Sequence, residues 1–159
     1  MATVTMRVDG LRELQARLQM LAPAIARNAL RAAVAAGAST IRDGARQAAP
    51  TYHGDVAQGH PPPGTLKRSI ILKQARELSS TYRQVYLVTV RRGKKYRNQG
   101  KKGNLSQDAY YWPFVEYGTS KMSARPFMRV AFEGKKFAAV DAIKARLAER
   151  IKAVVGGQA

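Results

Sequence analysis

Cysteine is absent from the 159-residue sequence, which excludes disulfide bonds and thiolate metal sites. Long hydrophobic runs are missing as well. No stretch is apolar enough to span a bilayer, and the segment that begins at Met1 has no core of a secretory signal. We therefore expect a soluble protein that is made in the cytoplasm and has no membrane partner.

Acidic residues are few: 10 Asp and Glu stand against 28 Lys and Arg, and the formal net charge is +18. Such an excess predicts a polyanion or an acidic protein surface as partner, because self-repulsion would otherwise only cost stability. The acids are scattered singly, whereas a Mg²⁺-dependent nuclease needs clustered carboxylates. No Ser lies in a Gly-x-Ser-x-Gly elbow. We expect no enzymatic activity and no cofactor.

One set of residues has the chemistry of a metal site. His53, Asp55 and His60 lie within eight positions of each other, and imidazole and carboxylate ligands suit zinc or iron. The Gly and Pro residues around them provide no rigid element to hold ligand geometry, so we expect solvated loop side chains and no metal.

Two helices are predicted in the first third of the chain. Leucines at 11, 14, 18 and 21 form an amphipathic stripe. A second, Ala-rich helix is predicted from Ala24 to Ala48, with Pro23 in its first turn and Pro50 ending it. Gly37 and Gly44 cost helix propensity and predict the closest contacts with another element.

The middle of the chain predicts a sheet between two loops. A Gly- and Pro-rich loop insert is expected at residues 51–64. The runs Ile70–Leu72 and Tyr82–Val90 predict a two-stranded antiparallel hairpin, and the second strand should be buried on both faces near its end.

A basic loop at 91–107 follows, and we expect it to be mobile until it meets a partner because it cannot bury itself. Its seven cations are Arg91, Arg92, Lys94, Lys95, Arg97, Lys101 and Lys102. If all seven met phosphates, the logarithm of affinity would fall with the logarithm of salt at a slope of about −6. Docking on an acidic protein patch and a solvated loop with no specific role are the open alternatives. With a single aromatic, Tyr96, the loop lacks a base-stacking platform.

An aromatic segment then leads into the last helix. Tyr110 to Tyr117 predicts a strand or short helix that ends at Gly118, and Pro126 should lie in the first turn of a long C-terminal helix. Phe137, Val140, Ile143, Leu147, Ile151 and Val154 should form the apolar stripe of that helix. Glu116, among aromatics, needs a partner. Arg125 within the chain and a cation of a neighbouring subunit are the two possibilities.

Together these elements predict one α+β domain over residues 1–159, in which a small antiparallel sheet packs against the long Ala-rich helix and the long C-terminal helix. Trp112, Phe114 and Phe127 belong either to its core or to an interface, since aromatic anchors serve both.

The segment from Phe114 to Met128 resembles the signature of the small tail-component proteins of long-tailed bacteriophages, the group named after the tenth gene product of a lambdoid coliphage. The matching residues in this segment include Phe114, Glu116, Gly118, Arg125, Pro126 and Phe127, and Trp112 lies just before it. Weaker matches are Gly10–Leu14 and Gly64–Ile70. The insert at 51–64 is longer than in many members of that family.

The resemblance implies a structural virion protein of the neck or tail end, a neck or tail-completion (terminator) component that joins head and tail. It further implies a ring of six subunits around the DNA channel, with neighbouring neck and tail proteins as partners and non-specific contact with the genome. On that picture the basic loop lines the lumen or reaches an adjoining ring. There are two competing classes. One is a free-standing DNA-binding or packaging accessory protein, which the net charge of +18 favours. The other is an assembly factor absent from the mature virion.

Overall fold

The structure of the protein is a computed structural model, and it describes residues 11–20, 22–51, 62–93 and 108–156. In chain order these ranges form α1 (Leu11–Gln19), α2 (Pro23–Ala48), α3 (Thr65–Ser69), β1 (Ile70–Gln74), a 3-10 turn (Arg76–Leu78), β2 (Tyr86–Val90), α4 (Trp112–Tyr117) and α5 (Met128–Gly156). The small sheet packs against α2, and α2 packs along α5. The predicted α+β class is confirmed.

Helix α2 has the bounds that its prolines dictate. Pro23 lies in the first turn, where its missing N–H has no partner inside a helix anyway. At the other end Ala49 adopts an extended conformation ahead of Pro50, which disfavours helical geometry in the residue before it. The 26 residues between give a rod of about 39 Å at 1.5 Å per residue. The predicted helix is confirmed.

Helices α2 and α5 run antiparallel and approach each other most closely at two glycines. A Cβ built on Gly37 would lie 2.5 Å from Ile143 Cγ1 and 2.7 Å from the Ala139 carbonyl oxygen. A Cβ built on Gly44 would lie 2.8 Å from Lys135 Cγ. The predicted role of these glycines is confirmed: without a side chain of their own, they let the α2 backbone contact the Ile143 and Lys135 side chains and the Ala139 carbonyl of α5 directly.

Between Gly37 and the N-terminal end of α2, the interface pairs small residues of α2 with large residues of α5. The buried cluster there consists of Ala26, Ala29 and Ala33 of α2 and Leu147 and Ile151 of α5. Alanine leaves room for the branched side chains that face it, so the two helices can pack closely here.

The sheet is a single antiparallel pair in which Ile70 faces Val90 and Gln74 faces Tyr86. The predicted pairing is confirmed, although the connection between the strands is longer than a tight turn and contains the 3-10 turn. Burial increases along β2 from the exposed Leu87 to the buried Val90, because the sheet is too small to be covered at its far end. Arg46 ties α2 to the sheet, since its Nε and Nη2 donate to the Ile70 carbonyl at 3.1 and 2.7 Å.

A second buried cluster joins the C-terminal end of α2 to the sheet and to the start of α5. It consists of Ala45, Ala49, Leu66, Ile70, Val90, Ala109, Phe127 and Ala131. Phe127 is the largest of its fully buried side chains. Helix α2, both strands and α5 therefore all contribute to this cluster.

Two predictions about α5 are wrong in detail. Pro126 lies before the helix and not in its first turn: the Ala131 N–H donates to the Phe127 carbonyl at 3.1 Å, so Phe127 is the N-cap. Phe137 does not join the inward stripe but is 63% exposed. The α5 residues that face α2 recur every four positions, beginning with Ala139 and Ile143. Phe137 is not in this series and points away from α2.

Several predicted features lie outside the described residues. The leucine stripe of α1 cannot be followed, although α1 itself is present, and most of the loop insert at 51–64 falls in the undescribed range 52–61. Among the described helices, none combines the length and the apolar character that crossing a membrane requires.

The contact at Gly37 predicts the effect of adding one methyl group. Gly37→Ala gains about 1 kcal/mol of helix propensity, but its Cβ meets a backbone carbonyl that cannot move without shifting α5. We expect a net loss of up to about 2 kcal/mol in the free energy of unfolding, since overpacking costs about 1–3 kcal/mol. Chemical denaturation measures it.

Gly134→Ala is the matched control, because a Cβ at Gly134 of α5 meets nothing within 4 Å. This variant should be more stable than the wild type by roughly 0.5–1 kcal/mol. If both substitutions stabilise the protein equally, the close helix contact at Gly37 is refuted.

Candidate functional site

Helix α4 packs one face against the core. Trp112 and Val115 contact the buried cluster around Phe127, and Tyr111 lies beside them at the N-cap of α4. Burial raises the pKa of the Tyr111 hydroxyl, an effect that the nearby Leu66 backbone opposes. The segment predicted as a strand or short helix is thus a helix. Its Trp112 packs against the buried cluster that contains Phe127.

Glu116 of α4 caps α5. Its Oε2 accepts the N–H groups of Phe127 and Met128 at 2.8 and 2.9 Å, and its Oε1 accepts the Arg129 N–H at 3.1 Å. The first amides of a helix have no acceptor within the helix, and the positive end of the helix dipole favours a carboxylate there. Glu116 is only 3% exposed, so these bonds form away from competing water.

The predicted ion pair between Glu116 and Arg125 is wrong. Among the described residues no ion pair joins them, and Arg125 is exposed while its backbone N–H donates to the Val115 carbonyl at 2.8 Å. Three backbone amides already provide the partners that a buried carboxylate needs. Arg125 contributes its backbone, and its charge remains at the surface.

Gly118 reverses the chain between α4 and α5. It closes α4 with φ +77° and ψ 179°, and its N–H donates to the Phe114 carbonyl at 2.9 Å. A Cβ there would lie 2.8 Å from the Ala124 nitrogen. Both the positive φ and the close backbone approach call for glycine. The following turn, with its Thr119–Met122 bridge, returns the chain toward the carboxylate of Glu116.

Three aromatic side chains on α4 and just before it are exposed to solvent. Phe114 and Tyr117 of α4 are 53% and 66% exposed, and their spacing of three residues places them on one side of the helix, while Tyr110, two residues before α4, is 55% exposed. We call these three residues the aromatic face. Sequence reasoning identified Phe114 but missed the two tyrosines, although this spacing was visible in the sequence.

The two ends of the basic loop are tied to the body of the protein. The Arg91 N–H donates to the Ser69 carbonyl at 2.8 Å, and the Ala109 N–H donates to the Arg91 carbonyl at 3.1 Å. The buried Asp108 accepts the Gly93 N–H at 2.8 Å. Asp108 was not predicted as a site residue. The sequence indicated this role only through position, since Asp108 is the first acidic residue after a run of cations.

Of the seven predicted loop cations, the structure describes Arg91, which is half-buried, and Arg92, which is exposed. Lys94, Lys95, Arg97, Lys101 and Lys102 lie outside the described residues, as do His53, Asp55 and His60. The mobility of the loop stays a prediction. Within the described ranges, no three His, Asp or Glu side chains come together as metal ligands.

Residues 12–118 match the family HK97-gp10_like, which carries the description "Bacteriophage HK97-gp10, putative tail-component". The match spans more than half of the chain, so the chain belongs to this family of phage tail components. It includes α1 to α4 and Gly118 and stops before Arg125, Pro126 and α5. No curated protein and no solved structure matches the chain significantly.

The cap by Glu116 predicts a large effect of removing one charge. Glu116→Gln replaces one accepting oxygen with an NH₂ group that faces backbone N–H donors. We expect a loss of at least about 2 kcal/mol in the free energy of unfolding, since bonds to a charged group are worth about 1.5–3 kcal/mol each. Glu133→Gln is the control, because Glu133 is exposed and pairs only with Lys136 on its own helix. It should change stability by less than about 0.5 kcal/mol. Equal stability of the two variants would contradict the cap.

Proposed function

We propose that this tail component forms a ring at the head–tail junction of the virion, as a neck or tail-completion protein, and that six copies surround the channel through which the genome passes. The aromatic face carries the proposal. Three large aromatic side chains remain more than half exposed, two on α4 and one just before it, and the other side of α4 is anchored in the core.

Exposed aromatic groups on a rigid support are what protein interfaces use as anchors. We assign the aromatic face to a neighbouring copy of the same chain. Because Glu116 and Gly118 fix α4 against α5, the face is presented in one orientation. A repeated contact between identical subunits in a fixed orientation closes into a ring when the rotation permits.

The basic loop leaves the body directly before the aromatic face, since Asp108 and Ala109 precede Tyr110. A contact at the aromatic face therefore sets the positions of successive basic loops around the ring. With seven cations in each subunit, loops that point inward would line the lumen with positive charge, and loops that point along the axis would meet an adjoining ring. The loop insert at 51–64 is then available to neighbouring subunits.

The second candidate is a basic DNA-binding or packaging accessory protein, and the net charge of +18 favours it. An assembly factor absent from the finished particle is the third. Mass spectrometry of purified virions separates these classes. A ring component is present at a fixed copy number, and the other two are absent or variable.

Removing the aromatic face should prevent assembly without unfolding the subunit. For Phe114→Ser with Tyr117→Ser we expect monomers in light scattering and no rings in negative-stain micrographs, with an unchanged melting temperature. Phe137→Ser removes an equally exposed aromatic from α5 and should assemble like the wild type. Rings formed by the double variant would refute the assignment of the aromatic face.

A reconstruction of the neck tests the position of the basic loop. We expect residues 94–107 to face the lumen or the next ring. Loops that point outward into solvent would contradict that arrangement while leaving the ring itself intact.

A further inference from the structure

An open cleft of about 500 Å³ lies between the first half of α2 and the connection that joins β1 to β2. Three arginines line it: Arg27 and Arg31, one turn apart on α2, and Arg76 from the 3-10 turn. The other six lining residues are all Ser, Thr, Asn or Gln.

The three guanidinium groups are exposed, and no ion pair neutralises any of them in the described part of the chain. The single carboxylate of α2, Asp43, is held elsewhere by a bidentate pair with Arg42 at 2.9 and 3.0 Å, which lowers the Asp43 pKa. Glu77 follows Arg76 in the chain but does not line the cleft. Like charges around one concavity repel each other, so the cleft is complementary to an anion.

The walls of the cleft are held in place by hydrogen bonds. Gln74 Nε2 donates to Gln84 Oε1 at 2.9 Å, and the Ser80 N–H donates to the Arg83 carbonyl at 2.6 Å. Ser79 Oγ both donates to the Ala75 carbonyl at 2.7 Å and accepts the Val85 N–H at 3.1 Å. The connection is therefore ordered before any ligand arrives, which reduces the entropy cost of binding.

We propose that this cleft binds phosphate groups of a DNA backbone. Arginine forks together with hydroxyl and amide side chains are the groups that contact phosphate and sugar oxygens in protein–DNA complexes. Among the residues that the structure describes, no aromatic or aliphatic one lines the cleft. It therefore lacks the apolar anchors of a protein-binding surface and the stacking platform that reads bases. The contact is independent of base sequence.

The cleft is a different site from the basic loop at 91–107, and the inference does not require a ring. A monomeric protein that binds DNA through the cleft would support the inference even if the proposed assembly fails. Conversely, rings that do not use the cleft for DNA would leave the proposed assembly intact.

The experiment measures the affinity of the full chain for a short, fluorescently labelled DNA duplex of random sequence over a range of salt concentrations. The cleft variant is R27Q/R31Q/R76Q. The control R129Q/R150Q/K152Q removes the same charge from exposed positions of α5 that do not line the cleft. Circular dichroism verifies that both variants are folded.

Because the cleft variant neutralises three fewer phosphates, its slope of log affinity against log salt should become shallower by about 2.7, and that of the control by less than about 0.9. Equal slopes in the two variants overturn the proposal. Two further titrations use inorganic phosphate and polyglutamate. If the three arginines matter for either of these but not for DNA, the cleft serves free phosphate or an acidic protein segment, and the DNA assignment is wrong.

Discussion

The distance between α2 and α5 governs the rest of the structure. It is set by the missing side chains of Gly37 and Gly44, which let the α2 backbone approach side chains and a carbonyl of α5 directly. Only at that distance do the alanines of α2 meet Leu147 and Ile151. The same approach brings the start of α5, with Phe127, onto the cluster that also holds the sheet.

A second connection joins the aromatic helix to α5. Through Glu116, α4 binds the first amides of α5, while its Trp112 and Val115 pack on the same cluster as Phe127. An electrostatic contact and an apolar contact thus act on one short helix from the same side. This leaves the opposite side of α4, with Phe114 and Tyr117, exposed and so available for assembly.

Much of the fold could be read from residues whose constraints are local. Pro23 and Pro50 set the ends of α2, its glycines marked the closest helix contact, and the alternating apolar pattern of Ile70–Leu72 and Tyr82–Val90 indicated the sheet. The partner of Glu116 could not be read in this way, because backbone amides leave no trace in the sequence. From the sequence alone, Arg125 is the expected partner of Glu116, in an ion pair.

The basic residues of α2 show the same limit. Their spacing predicts a single basic face, but in the fold these arginines make different contacts. Arg46 binds the Ile70 carbonyl and Arg42 pairs with Asp43. Arg27 and Arg31 line the cleft. Arg76 comes to that cleft from far along the chain. Such a grouping depends on how the sheet lies on α2, and periodicity along one helix does not contain that information.

The cap by Glu116 has one more consequence. A carboxylate that binds backbone N–H groups is indifferent to the side chains on those residues, and every helix offers the same free amides at its start. The cap therefore fixes where α5 begins without constraining the side chains of its first turn. The sequence beyond Gly118 is constrained instead by the two apolar clusters, to which Phe127, Leu147 and Ile151 contribute.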